Sequence, residues 1–413
     1  MSRNGHRMLL AALACITTSP GRAAAVVDEV PASPDAITTT DVRCHFTLRS
    51  DPMNVKTDFV DAGIRLKGYW HSTNVFTSRS MFFTNASPTE LHDVCVERIA
   101  RIPASNQLAL ISATSGGVSN NYDIWHNGDL AKGRTIERIV SFGDSLSDSR
   151  NMYNESQWLL PYRASWYVGR FSNGPIWVEH LAMRMGLTLN NWAVGGAQTK
   201  DAQVGLIQGV GKQMDSFFEY ASKADGYDPA HTLFTFLIGG NDFVNDTQAA
   251  TQVVIDQEKL LERLVAGGAR RILIVNLPDL TLAPAFSMPG GRTDGDTVLE
   301  KVEYYNARIR DVAARIVAHT EGTEIHIVDA RKRFDELIAS PATSGFTNAR
   351  ESCLKIDSPS SLTYLTTQTP RAGCTDPSAY VFWDSLHPTT RVHELMAQWA
   401  IEAMPASWGL RKE

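Results

Sequence analysis

Several features are scarce in this sequence of 413 residues. It has no run of 18 apolar residues, which excludes a transmembrane helix. It has no long basic block and a formal charge of −6, so the basic stripe of a nucleic-acid binder is missing. Gly at 29 and Pro at 18 are too few for a collagen-like or proline-rich scaffold. Only five cysteines occur, with no Cys-x-x-Cys pair and no nearby His pair, which removes the usual spacing of a zinc site. What is present is globular. With 43% hydrophobic and 20% charged residues, a chain disordered throughout is excluded. The length exceeds one ordinary domain of about 100–200 residues and suggests two.

The start reads as an export signal. Arg3, His6 and Arg7 precede a short apolar stretch over 8–16, and Ala23, Ala24 and Ala25 supply small residues for cleavage. A secretory signal is expected over 1–25, with a secreted or periplasmic mature chain. Cleavage after Ala25 would remove three arginines and no acid, carrying the charge from −6 to −9. Cys15 leaves with the signal, and Ala12 stands where a lipidated Cys usually has Leu. Four cysteines remain, an even number suited to an oxidising compartment. Of their three pairings, Cys44–Cys95 and Cys353–Cys374 are expected, because each closes a loop within one proposed domain.

The chain divides near residue 134. Residues 26–40, rich in Pro, Thr, Ser and Ala, read as a flexible lead-in. Short β-leaning runs follow at 44–48, 80–83 and 108–111, separated by breakers such as Gly116-Gly117 and Asn127-Gly128. A small β-rich domain is expected over 26–134. Tyr69, Trp70 and Trp125 fit its core better than a sugar or lipid platform. From Thr135 strands alternate with helices. Apolar runs at 139–142, 233–238, 271–276 and 325–328 are short enough to be buried on both faces. Helical spacing of apolar residues appears over 253–265 and 298–317. This alternation predicts an α/β domain over 135–413, a parallel sheet flanked by helices. Reactive groups in such sheets sit beyond the carboxyl ends of the strands.

Four blocks carry candidate chemistry, and two of them directly follow predicted strands. In the first, a strand runs into Gly143-Asp144-Ser145-Leu146, so Gly143 permits a tight turn and Ser145 is expected at a helix start. In the second, Gly195-Gly196 lets backbone approach a ligand, and Gly196 could offer an N–H to an oxyanion. The third, Gly239-Gly240-Asn241-Asp242, could aim the Asn241 amide at the same oxyanion. In the fourth, Asp384 precedes His387 by three residues at a helix entry over 391–403. There the carboxylate can hold Nδ1 and leave Nε2 free for a serine proton. Each block alone has a plain structural reading, as a turn, a cap or a surface pair. Their combination in the order Ser…Asp…His is much rarer.

Together the blocks resemble the GDSL, or SGNH, hydrolases, whose second name lists the Ser, Gly, Asn and His of their blocks. Ser145, Gly196, Asn241 and His387 match those residues, and Asp384 matches the acid. No Gly-x-Ser-x-Gly elbow surrounds Ser145, which argues against an ordinary α/β-hydrolase. Gly169 to Gly174 and Asn276 to Leu280 extend the match, which covers about 135–405. With its extension and signal, the chain looks most like the secreted bacterial phospholipases, thermolabile haemolysins and glycerophospholipid–cholesterol acyltransferases. The resemblance implies acyl transfer on Ser145, with His387 as base and Asp384 steadying it. Ser145, Gly196 and Asn241 would hold the oxyanion. It implies a phospholipid or other ester as substrate, transient contact with a membrane surface, no nucleic acid, and no metal or organic cofactor. His180, His231, His319, His326 and His393 lack a comparable block and read as core or surface residues.

Two further segments bear on the substrate. Aromatic residues of 153–171 would line an acyl groove, rest on a lipid surface, or pack between sheet and helices. A disulfide within the polar insert 340–380 would brace the loop carrying the acid and base. Two other readings compete: a polysaccharide acetyl-esterase of the same fold, and a membrane-binding cytolytic protein acting through 41–130.

Overall fold

The computed structural model describes residues 37–72, 80–114, 121–127, 133–224, 226–245, 248–358 and 360–409. The signal over 1–25, most of the lead-in, and the breakers Gly116-Gly117 and Gly128 lie outside them. Two five-stranded sheets organise the rest. The first is formed by β1 (Thr38–Leu48), β2 (Thr57–Ser72), β3 (Ser80–Thr84), β4 (Ser105–Thr114) and β5 (Asp123–His126), in the order β4-β1-β2-β3-β5. Its ladders are antiparallel except β3 with β5. The lead-in ends sooner than its composition suggests, because Thr38, Thr39 and Thr40 pair with Gly68, Lys67 and Leu66. β-branched threonines suit a pleated surface, and a partner strand was available to order them.

One helix, α1 (Pro88–Ala100), covers this sheet. Ser87 and Glu90 form a capping box, and Pro88 takes the first turn, where a missing N–H costs nothing. Leu91, Cys95 and Ile99 face inward, and Cys95 is bonded to Cys44 of β1. Trp125 is 1% exposed, and Trp70 sits edge-on to Phe82 and Tyr122, so the aromatics pack in the interior.

The second sheet has the expected α/β architecture. Its strands β6 (Arg138–Gly143), β7 (Thr188–Asn191), β8 (Thr232–Leu237), β9 (Arg271–Val275) and β10 (Glu324–Val328) run in the order β10-β9-β8-β6-β7. All four ladders are parallel. The helices fall into two contacting groups. One holds α2 (Trp177–Met185), α6 (Ala330–Ala339) and α7 (Thr390–Ala403); the other holds α3 (Val210–Ala221), α4 (Ala250–Ala266) and α5 (Gly295–His319). Every residue of β8 is buried, as a central parallel strand between helix layers requires. Among the described residues, no helix is long and apolar enough to cross a membrane.

This strand order creates the site. The chain moves outward from β6 to β7, then returns to lay β8 on the other side of β6. The crevice beyond the ends of β6 and β8 is therefore the point where the order reverses, the usual ligand position in open α/β sheets. Gly143 and Leu237 are paired there, and a Cβ on Gly143 would lie 2.6 Å from the Leu237 carbonyl oxygen. Only glycine permits that approach.

Candidate active site

Three neighbouring strands each deliver one block. Ser145 follows β6, Gly196 follows β7 and Asn241 follows β8. The Ser145 hydroxyl lies 2.8 Å from Nε2 of His387, 242 residues further along the chain. Nδ1 of His387 lies 2.9 Å and 3.0 Å from the two oxygens of Asp384. Asp384 is fully buried and His387 is 6% exposed. Burial works against the Asp384 carboxylate. The facing imidazole, the Leu386 N–H and the Trp166 indole outweigh it and hold the pKa below the usual carboxylate value. Ser145, His387 and Asp384 thus form one continuous hydrogen-bonded line.

One local expectation fails. Ser145 is not at a helix start; it lies in a turn closed by the Ser147 N–H on the Asp144 carbonyl at 2.9 Å. The next helix begins only at Asn151. Asp148 holds the stretch that follows this turn. Its buried carboxylate accepts from the N–H groups of Arg150 at 2.8 Å and Met152 at 3.0 Å, and also from Gly195 at 2.8 Å. At Ser145 itself the Leu146 N–H donates to Asp144 Oδ1 at 3.0 Å, so an Asx-type turn stands where the helix start was expected.

The same carboxylate organises the second block. With the Gly195 N–H occupied by Asp148, the next N–H, that of Gly196, has no acceptor among the described residues. Nor does that of Ser145. Gly196 holds φ +82°, a left-handed conformation that favours glycine. Asn241 gives one amide hydrogen to the Ala197 carbonyl at 3.0 Å, which ties the third block to the second. Its neighbour Asp242 is buried and accepts from the Thr199 N–H and hydroxyl.

Of the two additional matching segments, Gly169 to Gly174 holds the histidine loop. Ser172 donates to the Pro388 carbonyl at 2.9 Å, and the Asn173 side chain accepts from the Thr390 N–H at 2.9 Å. A Cβ on Gly174 would lie 2.8 Å from the Thr390 side chain, so that side chain packs directly on the Gly174 backbone. Pro278, Asp279 and Leu280, which follow β9, line the cleft beside Ser145. That cleft runs inward between Leu146, Val244, Leu282, Phe334 and Met396, and is mostly apolar.

Residues the sequence left undecided find their places. Tyr153, Trp166, Tyr167 and Phe171 are buried, so the 153–171 aromatics mainly pack. Trp166 does more, because its Nε1–H donates to Asp384 Oδ2 at 2.9 Å. Tyr364 was not singled out by any motif, yet its hydroxyl lies 3.1 Å from His387 Nδ1. It sits in the loop closed by the Cys353–Cys374 disulfide. Of the other histidines, His180 bonds to Thr390 and His393 is buried on α7; neither joins the line. Among the described residues, no group of three His, Cys, Asp or Glu side chains could hold a metal ion.

Known proteins resemble both parts of the chain. The model of the GDSL-like lipase/acylhydrolase family matches residues 139–400. The model described as Vibrio dual lipase/transferase, N-terminal domain, matches 17–127. The chain is 35% identical over 403 residues to a thermolabile hemolysin of Vibrio parahaemolyticus, covering 92% of this chain and 94% of the relative. It is 28% identical over 311 residues to a phosphatidylcholine-sterol acyltransferase of Aeromonas hydrophila, covering 64% and 88%.

Proposed function

The chain belongs to the GDSL-like lipase/acylhydrolase family, and from that premise we propose that it moves acyl groups off phospholipids through an ester formed on Ser145. One observation carries the reading: the Ser145 hydroxyl lies 2.8 Å from an imidazole whose far side is held by a buried carboxylate. His387 Nε2 takes the hydroxyl proton as Oγ attacks the ester carbonyl. The oxyanion is met by the N–H groups of Ser145 and Gly196 and by the Asn241 amide. As the tetrahedral centre collapses, the carbon–oxygen bond to the leaving alcohol breaks, and His387 returns the proton to that oxygen. Water or another alcohol then gives its proton to His387 as it attacks the acyl carbon, and His387 passes that proton to Ser145 Oγ as the bond from Oγ to the acyl group breaks. The apolar cleft inward from Ser145 suits an acyl chain rather than an acetyl group.

The same reading covers the rest of the chain. Residues 1–25 are a secretory signal, and the Cys44–Cys95 and Cys353–Cys374 disulfides suit the oxidising space it leads to. The mature protein divides into 26–134 and 135–413, and it meets its substrate at a membrane surface. Ser145→Ala is expected to abolish ester hydrolysis with the melting temperature unchanged. A fluorophosphonate should label wild type at Ser145 alone. Product mass spectrometry on defined phospholipids, with and without sterol, reads hydrolysis against transfer. Activity confined to acetyl esters, or labelling at another serine, would overturn the proposal.

A further inference from the structure

Asp384 is fully buried, so the capacity of its two oxygens must be met inside the protein. The fourth block supplies part of this itself. The N–H groups of Leu386 and His387 each lie 2.9 Å from Oδ1, and Nδ1 of His387 is shared between Oδ1 and Oδ2. Oδ2 would then have only the shared imidazole. Trp166, 218 residues away in sequence, donates to it at 2.9 Å. Tyr364 adds a hydroxyl 3.4 Å from Oδ1. Its ring stands edge-on to both His387 and Phe171. Neither residue belongs to the four blocks.

Both residues are fixed from outside the sheet. Trp166 is 0% exposed in an apolar cluster with Val55, Leu354, Trp383 and the two cysteines of the second disulfide. The Trp383 indole donates to the Ser165 carbonyl at 3.1 Å, which sets the chain just before Trp166. Tyr364 rides on the short turn Ser361–Leu365 inside the loop closed by Cys353 and Cys374. Its carbonyl accepts from the Tyr162 N–H at 2.9 Å, which joins the two segments.

We propose that Trp166 and Tyr364 are positioning residues: Trp166 fixes the plane of the Asp384 carboxylate through Oδ2, and Tyr364 closes the carboxylate–imidazole junction from solvent. The insert bounded by Cys353 and Cys374 is then a working part of the site, although no motif includes it. A donor on Oδ2 also draws negative charge from the side of the carboxylate that faces the imidazole. Losing it leaves Asp384 free to rotate and strengthens its pull on a protonated His387. The rate should fall while the base limb moves to higher pH.

The inference rests on Ser145, His387 and Asp384 carrying the chemistry. Its test is Trp166→Phe in the full disulfide-bonded protein, assayed for kcat, KM and pH dependence. A loss of roughly 10-fold in kcat is expected, with KM little changed and the base limb displaced upward. Tyr364→Phe keeps the ring and removes a longer bond, so it should act in the same direction by about 3-fold. It carries the test alone if Trp166→Phe does not fold. An unmoved base limb in the folded variants would overturn the proposal, because a merely structural loss lowers rate without moving it. Fluorophosphonate labelling of the same samples keeps the two questions apart. Label away from Ser145 would sink the underlying reading; label at Ser145 with an unmoved limb sinks only this one.

Discussion

The antiparallel ladders of β1, β2 and β4 and the parallel ladders of β6 to β10 reach burial by different means, and only the parallel sheet could have gathered a site. In the parallel sheet every strand ends on the same side. Loops after β7, β6 and β8 therefore leave from one edge, which puts Ser145 and Asn241 on one cleft and ties Asn241 to Ala197. In the antiparallel ladders, strand ends alternate from side to side, and no edge collects successive loops. That sheet has one covering helix and a disulfide where the other has two groups of helices. It acts as a buttress instead. Met81, Phe83 and Trp125 join the core of the parallel domain, and Asp123 forms an ion pair with Arg150, five residues past Ser145. The Asn154 amide donates to the Asn121 carbonyl at 2.7 Å in the same region.

If chemistry belongs to one sheet, the largest losses of rate should come from the ends of its strands. Asp384→Asn leaves the carboxylate site occupied but favours the wrong imidazole tautomer. In a serine protease the same change costs about 10⁴-fold, and at least roughly 10²-fold is expected here. Asn241→Ala removes the donor proposed for the oxyanion, and loss of such a donor typically costs about 10²–10³-fold in kcat. The two variants differ in pH dependence. Asp384→Asn moves the base limb downward, because the imidazolium loses a negative partner. Asn241→Ala leaves it in place. A near-normal rate and an unmoved limb in Asp384→Asn would mean that another group orients His387.

The contrast between the sheets also decides what could be read in advance. The parallel strands are continuous apolar runs, because both faces are buried, and such runs stand out in sequence. The β-rich region shows less. The 16 residues of β2 mix exposed and buried positions, and Gly68 interrupts them. α1 carries a full capping box, Ser87 and Glu90, a mark of a helix start that the sequence does display. Of the site, the groups that form the line stand in short motifs whose order is informative. The tie between the first two blocks was not legible, because Asp148 reaches Gly195 across a separation of 47 residues. Trp166 and Tyr364 were hidden for the same reason. Each meets Asp384 only after the chain folds, and an aromatic residue in an aromatic-rich segment carries no mark of its partner.

A smaller effect separates the two disulfides. Cys44–Cys95 ties β1 to α1 and touches no residue of the site. Replacing both cysteines with Ala should lower unfolding stability by about 2–5 kcal/mol at most, leaving kcat unchanged at low temperature. Replacing Cys353 and Cys374 loosens the loop that carries Tyr364, so kcat should fall even where the protein remains folded. Denaturant melts and turnover on the same samples test both. Equal loss of rate from the two pairs would erase the distinction.

The finest distinction is in protons. His45 in the antiparallel sheet is buried and neutral, its pKa lowered to about 3 by desolvation, with Nε2 3.0 Å from the Asn121 side-chain oxygen. An unfolded chain would protonate it below about 6.5. Between those values the unfolded state binds more protons, so His45 makes stability fall as pH falls. Asp144, at the end of β6, is the reverse. Burial raises its pKa to about 7, reinforced by the nearby Asp242 and Asp148 carboxylates. Unfolded, it would ionise near 3.9. Between about 4 and 7 the folded state holds the extra proton, so Asp144 makes stability fall as pH rises. Each slope is at most about 1.4 kcal/mol per pH unit. His45→Gln and Asp144→Asn expose the two signs separately. The stability gap between wild type and His45→Gln should narrow, or reverse, as pH drops from 6.5 toward 4.5. The gap between wild type and Asp144→Asn should do so as pH climbs from 4.5 toward 7. Thermal melts across that range decide it, and gaps independent of pH would show that neither group keeps its buried, neutral form.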